Sequence, residues 1–280
     1  MIPLNCRNSL AACPPFVPGY AGIEVCPECG LGRTCAKTVS ADEQNYLSSE
    51  EVGGAERPGY FNMLFDAYCA KEVPGRALDV GCGRGEWVRL LNTRGWTAHG
   101  IDTSSQFKPD NVKFFRTAID DYFPKTLYDL ITAVHCFEHV TDPVRSLQHM
   151  ARMLAPNGRL LIIVPNFGGA WSRLYGADWH MLRTEHHAFH YTPESLERLL
   201  QSCGYEIRRT STCSYYAPSI IELRLSRIHF YERGIGSLFP LRPLLVRANA
   251  MLRLVLNKRL DEALDGAEIQ ILATAGVQPR

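Results

Sequence analysis

From residue 76 onward the chain alternates between two hydrophobic periods. Arg76-Ala77-Leu78-Asp79-Val80 is a short apolar run that breaks at glycines. Trp87, Val88, Leu90 and Leu91 then recur at the spacing of one helix face, and Gly95 supplies the C-terminal stop. TAHGID (97–102), VKFFRTA (112–118) and YDLITAV (128–134) predict three further strands. Asp142 is placed to cap a helix with Pro143 at its first position, and Val144, Leu147, Met150 and Leu154 follow at helical spacing. Asn157-Gly158 predicts a turn before the apolar strand RLLIIVP (159–165). Thr192 and Pro193 open another helix, carrying Leu196, Leu199 and Leu200 and ending at Gly204. YEIRRTS (205–211) and AEIQILATA (267–275) complete seven strands. Strands that alternate with helices predict a parallel α/β sheet, and apolar runs without polar alternation predict cover on both faces.

Upstream the pattern changes. Phe61, Leu64, Phe65 and Tyr68 predict a helix over about 58–72. Residues 36–56 are polar and acidic and read as a linker, whereas residues 1–35 are rich in Cys, Pro and Gly without a helical period. The chain of 280 residues therefore divides into a Cys-rich segment (1–35), a linker (36–56) and one large domain (57–280).

Composition excludes several classes. Apolar residues at 46% and charged residues at 21% indicate a globular chain, and 30 Lys and Arg against 29 Asp and Glu leave no bulk charge for nucleic acid. No run approaches the roughly 18 uncharged apolar residues of a membrane-spanning helix. The opening MIPLNCRNSLAACPPF lacks the basic and apolar regions of a secretory leader, so a cytoplasmic location is expected. The 10 cysteines then read as mostly reduced thiols.

The sharpest chemical signal is Asp79-Val80-Gly81-Cys82-Gly83-Arg84-Gly85. Alternating glycines allow a tight turn and close approach of a ligand to the backbone. A dinucleotide fingerprint would need glycine at position 86, which is Glu86, and a phosphate-binding loop would need Gly-Lys-Ser/Thr. Asp79 stands inside the strand, where a carboxylate can pair with a cationic amino group. Asp102 ends the next strand, where it can accept two ribose hydroxyls.

These residues resemble the class I S-adenosylmethionine-dependent methyltransferases, over roughly 57–210 and the last strand. The resemblance implies a Rossmann-like seven-stranded sheet with helices on both faces. It implies that Asp79, Gly81, Cys82, Gly83 and Gly85 cradle the methionine part of S-adenosylmethionine. Asp102 and Thr103 then hold the ribose, Thr117, Ala118 and Ile119 meet the adenine, and His135 packs on the cofactor. Tyr128-Asp129-Leu130-Ile131, Glu138-His139-Val140-x-Asp142-Pro143 and Leu154-Ala155-Pro156-Asn157-Gly158 match later family segments in order.

Methyl transfer needs in-line positioning and, for a hydroxyl acceptor, a base. His135-x-x-Glu138-His139 has the form of an inverted zinc-protease motif, but it begins at a strand end and not on a helix. Further histidines follow the fifth strand: His180, His186, His187 and His190. His187-x-x-His190-Tyr191-Thr192 is similar to a segment that, in methyltransferases of sugars, quinone precursors and natural products, precedes the next helix. The resemblance places His187 over the acceptor. It is also similar, in His135-x-x-Glu138-His139, to ubiquinone-pathway O-methyltransferases and small-RNA 2′-O-methyltransferases that bind a divalent metal. This implies a metal at His135, Glu138, His139 and His187. The catalytic candidates are therefore His187, Glu138 and His139.

Cys26-Pro27-Glu28-Cys29-Gly30 has the form of a zinc knuckle. It resembles the small zinc ribbon that precedes the domain in sugar C-methyltransferases, with Cys6 and Cys13 as the second pair of thiolates and Cys35 as a substitute. Between the sixth and seventh strands an insertion (about 217–260) carries two basic, apolar segments divided by Gly234, Gly236, Pro240 and Pro243. They predict a helical cap, or a lid that meets an anionic or lipid-linked acceptor or a membrane surface. The expected function is O-methylation of a small-molecule or saccharide hydroxyl. A non-catalytic binding protein on the same fold, a sugar C-methyltransferase and an RNA 2′-O-methyltransferase are the alternatives.

Overall fold

The computed structural model describes residues 17–18, 22–34, 57–104, 111–215, 258–259 and 261–276. Cys6, Cys13, Cys35, the 36–56 linker and residues 217–257 of the insertion lie outside the described residues.

The main sheet contains β4 (Arg76–Val80), β5 (Thr97–Asp102), β6 (Lys113–Arg116), β7 (Tyr128–Val134), β8 (Leu154–Pro165), β10 (Tyr205–Cys213) and β11 (Glu268–Ala275), in the order β10-β11-β8-β7-β4-β5-β6. β4 pairs in parallel with β5 and β7, β5 with β6 and β7 with β8. β11 runs antiparallel to both β8 and β10, one reversed strand in the otherwise parallel, seven-stranded Rossmann-like sheet that was expected. Leu78, Leu130, Ile131, Leu160, Ile162 and Ile271 are fully buried, as strands covered on both faces require.

The helices follow the apolar periods. α1 (Arg57–Tyr68) buries Tyr60, Leu64, Phe65 and Tyr68, and α2 (Glu86–Thr93) buries Trp87, Val88 and Leu91. α3 (Pro143–Met153) opens with the Asp142 carboxylate accepting from Arg145 N at 3.1 Å. It ends one residue early, because Leu154 already pairs with Tyr128 as the start of β8. The expected Asn157-Gly158 turn is absorbed into β8 as an irregularity. The β7–β8 register shifts between Tyr128 and Leu130, and Asn157 takes φ 64°, a left-handed value that Asn tolerates. α4 (Ala170–Tyr175) follows β8, and α5 (Pro193–Ser202) closes a capping box between Thr192 and Ser195. No described helix is long and apolar enough to cross a membrane.

A second, four-stranded antiparallel sheet has the order β1 (Val17–Pro18), β2 (Ile23–Val25), β3 (Gly32–Thr34) and β9 (Phe189–His190). Three of its strands come from the Cys-rich segment and the fourth from the histidine loop. Gly32 faces His190 and Arg33 faces Phe189 across the β3–β9 pair. The Cys-rich segment is thus hydrogen-bonded to the main domain through the loop that carries His187.

Candidate active site

The glycine loop runs between β4 and α2, outside the carboxyl ends of the parallel strands, where open α/β sheets bind ligands. Gly81 takes φ 71°, and a Cβ there would meet Cys136 Sγ at 2.3 Å, so glycine is required on both counts. The same contact sets the glycine loop directly against residue 136 after β7. Gly83 N–H donates to Asp102 Oδ2 and Ser104 N–H to Oδ1, both at 2.8 Å. Asp102 therefore braces the loop through both carboxylate oxygens. Thr103 is exposed beside it. Thr117 N–H donates to Asp102 O at 3.1 Å, which brings Thr117, Ala118 and the buried Ile119 to the same sheet end.

Asp79 accepts from Thr132 Oγ1 at 2.7 Å inside the sheet. Burial raises its carboxyl to about 7, only partly offset by that hydrogen bond, and the neighbouring Asp102 adds to the rise. Cys82 departs from its expected role: its thiol turns into the core beneath Gly100, where an added Cβ would lie 2.5 Å from the sulfur. Its backbone is bonded within the turn, N–H to Ile101 O at 3.0 Å and O from Gly85 N–H at 2.8 Å, and burial raises the thiol well above its ordinary value.

After β7 the chain turns sharply. His135 has φ 50°, and Phe137–His139 form one 3₁₀ turn that buries Glu138. Glu138, His139 and His187 offer ligand atoms within 4.8 Å of one another. His187 Nε2 stands 3.9 Å from Glu138 Oε1, and the His139 and His187 rings meet edge to face at 4.7 Å. Burial drives His187 well below its ordinary value, with Glu138 opposing, and burial lowers His190 to about 4. Burial alone would raise Glu138, yet His135 at 3.8 Å, together with His139 and His187, holds it at about 2.

These three residues fit a divalent metal. Glu138 Oε2 is buried without a hydrogen-bond partner. His139 donates Nδ1–H to His186 O at 3.1 Å, the arrangement that leaves Nε2 to a ligand. His135 does not join them as expected. Its Nε2 points to Glu268 Oε1 at 3.5 Å, and its Nδ1 lies 3.8 Å from Glu138 Oε1. Burial opposes charge on His135, but Glu268 and Glu138 outweigh it and raise the group to about 10. His135 thus stands between Glu138 and Glu268, outside the three-residue group that could hold a metal. His180 is exposed outside this group.

Glu268 and Tyr60 were not among the candidate residues. Tyr60 O–H donates to Glu268 Oε2 at 2.7 Å, tying α1 to the first residue of β11. Glu268 is fully buried, and its Oε1 makes no hydrogen bond. The one available signal was an acid opening an otherwise apolar strand.

Cys26 and Cys29 are buried in a tight knuckle. Gly30 N–H donates to Cys26 O at 2.9 Å and Cys26 N–H to Leu31 O at 2.8 Å, with Gly30 at φ 71°. That geometry suits a pair of zinc thiolates.

Known proteins resemble the chain over the same domain. Residues 59–210 match the family model described as "Methyltransferase domain". A ubiquinone biosynthesis O-methyltransferase of Aeromonas salmonicida is 26% identical over 170 residues, covering 54% of this chain and 71% of that protein. The fold superposes on a SAM-dependent methyltransferase of Archaeoglobus fulgidus with TM-score 0.53 and 20% identity, covering 81% of this chain and 98% of that one. It also superposes on the 1,6-didemethyltoxoflavin-N1-methyltransferase of Burkholderia thailandensis with TM-score 0.51 and 12% identity, covering 91% and 96%. The chain belongs to the methyltransferase-domain family and is a class I S-adenosylmethionine-dependent methyltransferase.

Proposed function

We propose that the chain transfers the methyl group of S-adenosylmethionine to a hydroxyl oxygen of a small-molecule acceptor, with His187 as the base nearest that hydroxyl. The observation that carries this reading is the convergence of Glu138, His139 and His187 beside the glycine loop. The O-methyltransferase name of the curated relative supports it.

S-adenosylmethionine supplies an electrophilic sulfonium methyl. The residues have to hold the donor and align the acceptor oxygen with the methyl carbon and sulfur. Asp102 and the glycine loop hold the nucleoside and methionine ends, and Asp79 in its ionised form takes the ammonium. As the oxygen–carbon bond forms and the carbon–sulfur bond breaks, the hydroxyl proton passes to His187 Nε2. Glu138, 3.9 Å away, stabilises the imidazolium produced. S-adenosylhomocysteine leaves as the second product.

A second reading is favoured by the shared reach of the same three residues. Glu138, His139 and His187 would hold a divalent cation, which would supply Lewis-acid activation of the hydroxyl.

Release of S-adenosylhomocysteine is the test, with a panel of phenols, saccharides and lipid-linked hydroxyl compounds. The expected product carries its new methyl on oxygen. A methyl found on carbon or nitrogen by NMR would overturn the hydroxyl assignment, and no release despite tight cofactor binding would favour a non-catalytic binding protein.

A further inference from the structure

We propose that Thr34 is a positioning residue of the methyl-transfer site: reaching in from the small N-terminal sheet, its hydroxyl fixes the backbone at His187 and the ring of His190. The proposal rests on the reading of His187 as the group that meets the acceptor.

Thr34 is buried, and its Oγ1 has two partners across the sheet. It donates to His187 O at 2.7 Å and lies 2.8 Å from His190 Nε2. A hydroxyl has one proton. With that proton on the His187 carbonyl, the contact with His190 requires Nε2–H to donate to Thr34. The neutral ring is thereby held in one tautomer, with its lone pair at Nδ1. Thr34 N–H also donates to Ala188 O at 3.1 Å.

The opposite side of the loop is bonded to the site itself. Ala188 N–H donates to Glu138 O at 2.9 Å. The segment 187–190 is therefore stitched between Glu138 and Thr34, and the side chain it must aim is His187. The knuckle grips the next residues too, since Thr192 Oγ1 donates to Cys29 O at 3.1 Å. A shift of about 1 Å in such a loop is enough to cost a large part of turnover. The Cys-rich segment is thus a structural part of the active site rather than an appended module.

The test compares the full chain with Thr34→Val, which keeps the shape and loses the hydroxyl, and Thr34→Ser, which restores it. Nitrogen-15 NMR of ring-labelled histidine, assigned with His190→Gln, reads the tautomer. Calorimetry with S-adenosylhomocysteine reads cofactor binding, and methylation of 4-nitrocatechol reads turnover. His190 should carry Nε2–H in wild type and Thr34→Ser and lose that preference in Thr34→Val. Cofactor affinity should stay within about twofold, while kcat falls about tenfold or more in Thr34→Val and recovers to within about threefold in Thr34→Ser. Nδ1–H on His190 in the wild type overturns the proposal whether or not Thr34→Val folds. So does an unchanged tautomer or an unchanged kcat in Thr34→Val. A wild type that binds S-adenosylhomocysteine and shows the expected tautomer shift in Thr34→Val, but methylates no hydroxyl compound, fails the hydroxyl reading and leaves the Thr34 tautomer assignment standing.

Discussion

His135 Nε2 lies 3.5 Å from Glu268 Oε1, so the partly buried residue after β7 and the buried first residue of β11 face each other across one ion pair. Glu268→Gln removes the larger attraction that holds His135 at about 10, and the imidazole should titrate at a markedly lower pH by NMR. A histidine raised in the folded state contributes stability that is fully present below its unfolded value near 6.5. That contribution is lost as pH rises through about 10. Urea unfolding should therefore show wild type losing stability between these limits, and Glu268→Gln losing less. Breaking the pair should cost about 3–5 kcal/mol at pH 7. A His135 titration unmoved by the substitution would refute the pair.

Asp79 gives the same sign of pH dependence in a lower window. Its carboxyl rises from 3.8 to about 7, so the folded state retains a proton that the unfolded state has lost. Stability should fall as pH rises across that window and level off above it. Asp79→Asn should remove the penalty, stabilising the protein at pH 8 by as much as about 4 kcal/mol while changing little at pH 3.5. The same variant should bind S-adenosylmethionine poorly, because only the ionised carboxylate attracts an ammonium. In wild type, calorimetric affinity should increase from pH 5.5 to 8, and a flat profile would count against Asp79 as the ammonium's partner.

Asp102→Ala should weaken S-adenosylmethionine binding by about 2–4 kcal/mol through lost charge-assisted hydrogen bonds. Because Asp102 also accepts from Gly83 and Ser104, the glycine loop should lose amide-exchange protection in this variant. Calorimetry showing unchanged affinity would remove Asp102 from the cofactor site.

His187→Ala should lower turnover of a methylated hydroxyl acceptor by about 10²–10⁴-fold, with cofactor affinity within about threefold. EDTA sensitivity distinguishes the two readings of the cluster. If chelation reproduces the loss in wild type and manganese reverses it, the metal reading replaces the base; if chelation has no effect, the base stands.

What the sequence made legible is local. The glycine loop, the Asp102 strand end and the caps at Asp142 and Thr192 each depend on neighbours a few residues apart, so turn chemistry and periodicity reveal them. Cys26 and Cys29 read as a knuckle for the same reason. Glu138 was legible beside His135 and His187, but Glu268 and Thr34 were not. Glu268 reaches His135 only because β11 inserts beside β8, and Thr34 reaches His190 only through a strand two residues long. No periodicity marks so short a strand, and antiparallel pairing between distant segments leaves no local trace. The four-residue metal set failed at His135 because its spacing to Glu138 could not disclose a second carboxylate behind the ring.

Zinc has a direct check. Protein purified without chelator should contain near-stoichiometric zinc by elemental analysis, and a Cys26→Ser, Cys29→Ser double variant should contain none. Since β3 and the knuckle both bond to the 187–192 loop, the double variant should also expose His187 to carbethoxylation faster than wild type. A metal-free wild type with the hairpin intact would dismiss the ribbon.

The position of β11 sets an order of assembly. It lies between β8 and β10, yet both are synthesised before it. A nascent chain that has emerged only as far as β10 holds a sheet with a vacant slot, and Tyr60 and His135 still lack their carboxylate. The carboxylate beside Tyr60 and His135 therefore arrives only once β11 has followed β10 out of the ribosome, and a translation product truncated before β11 is born without it.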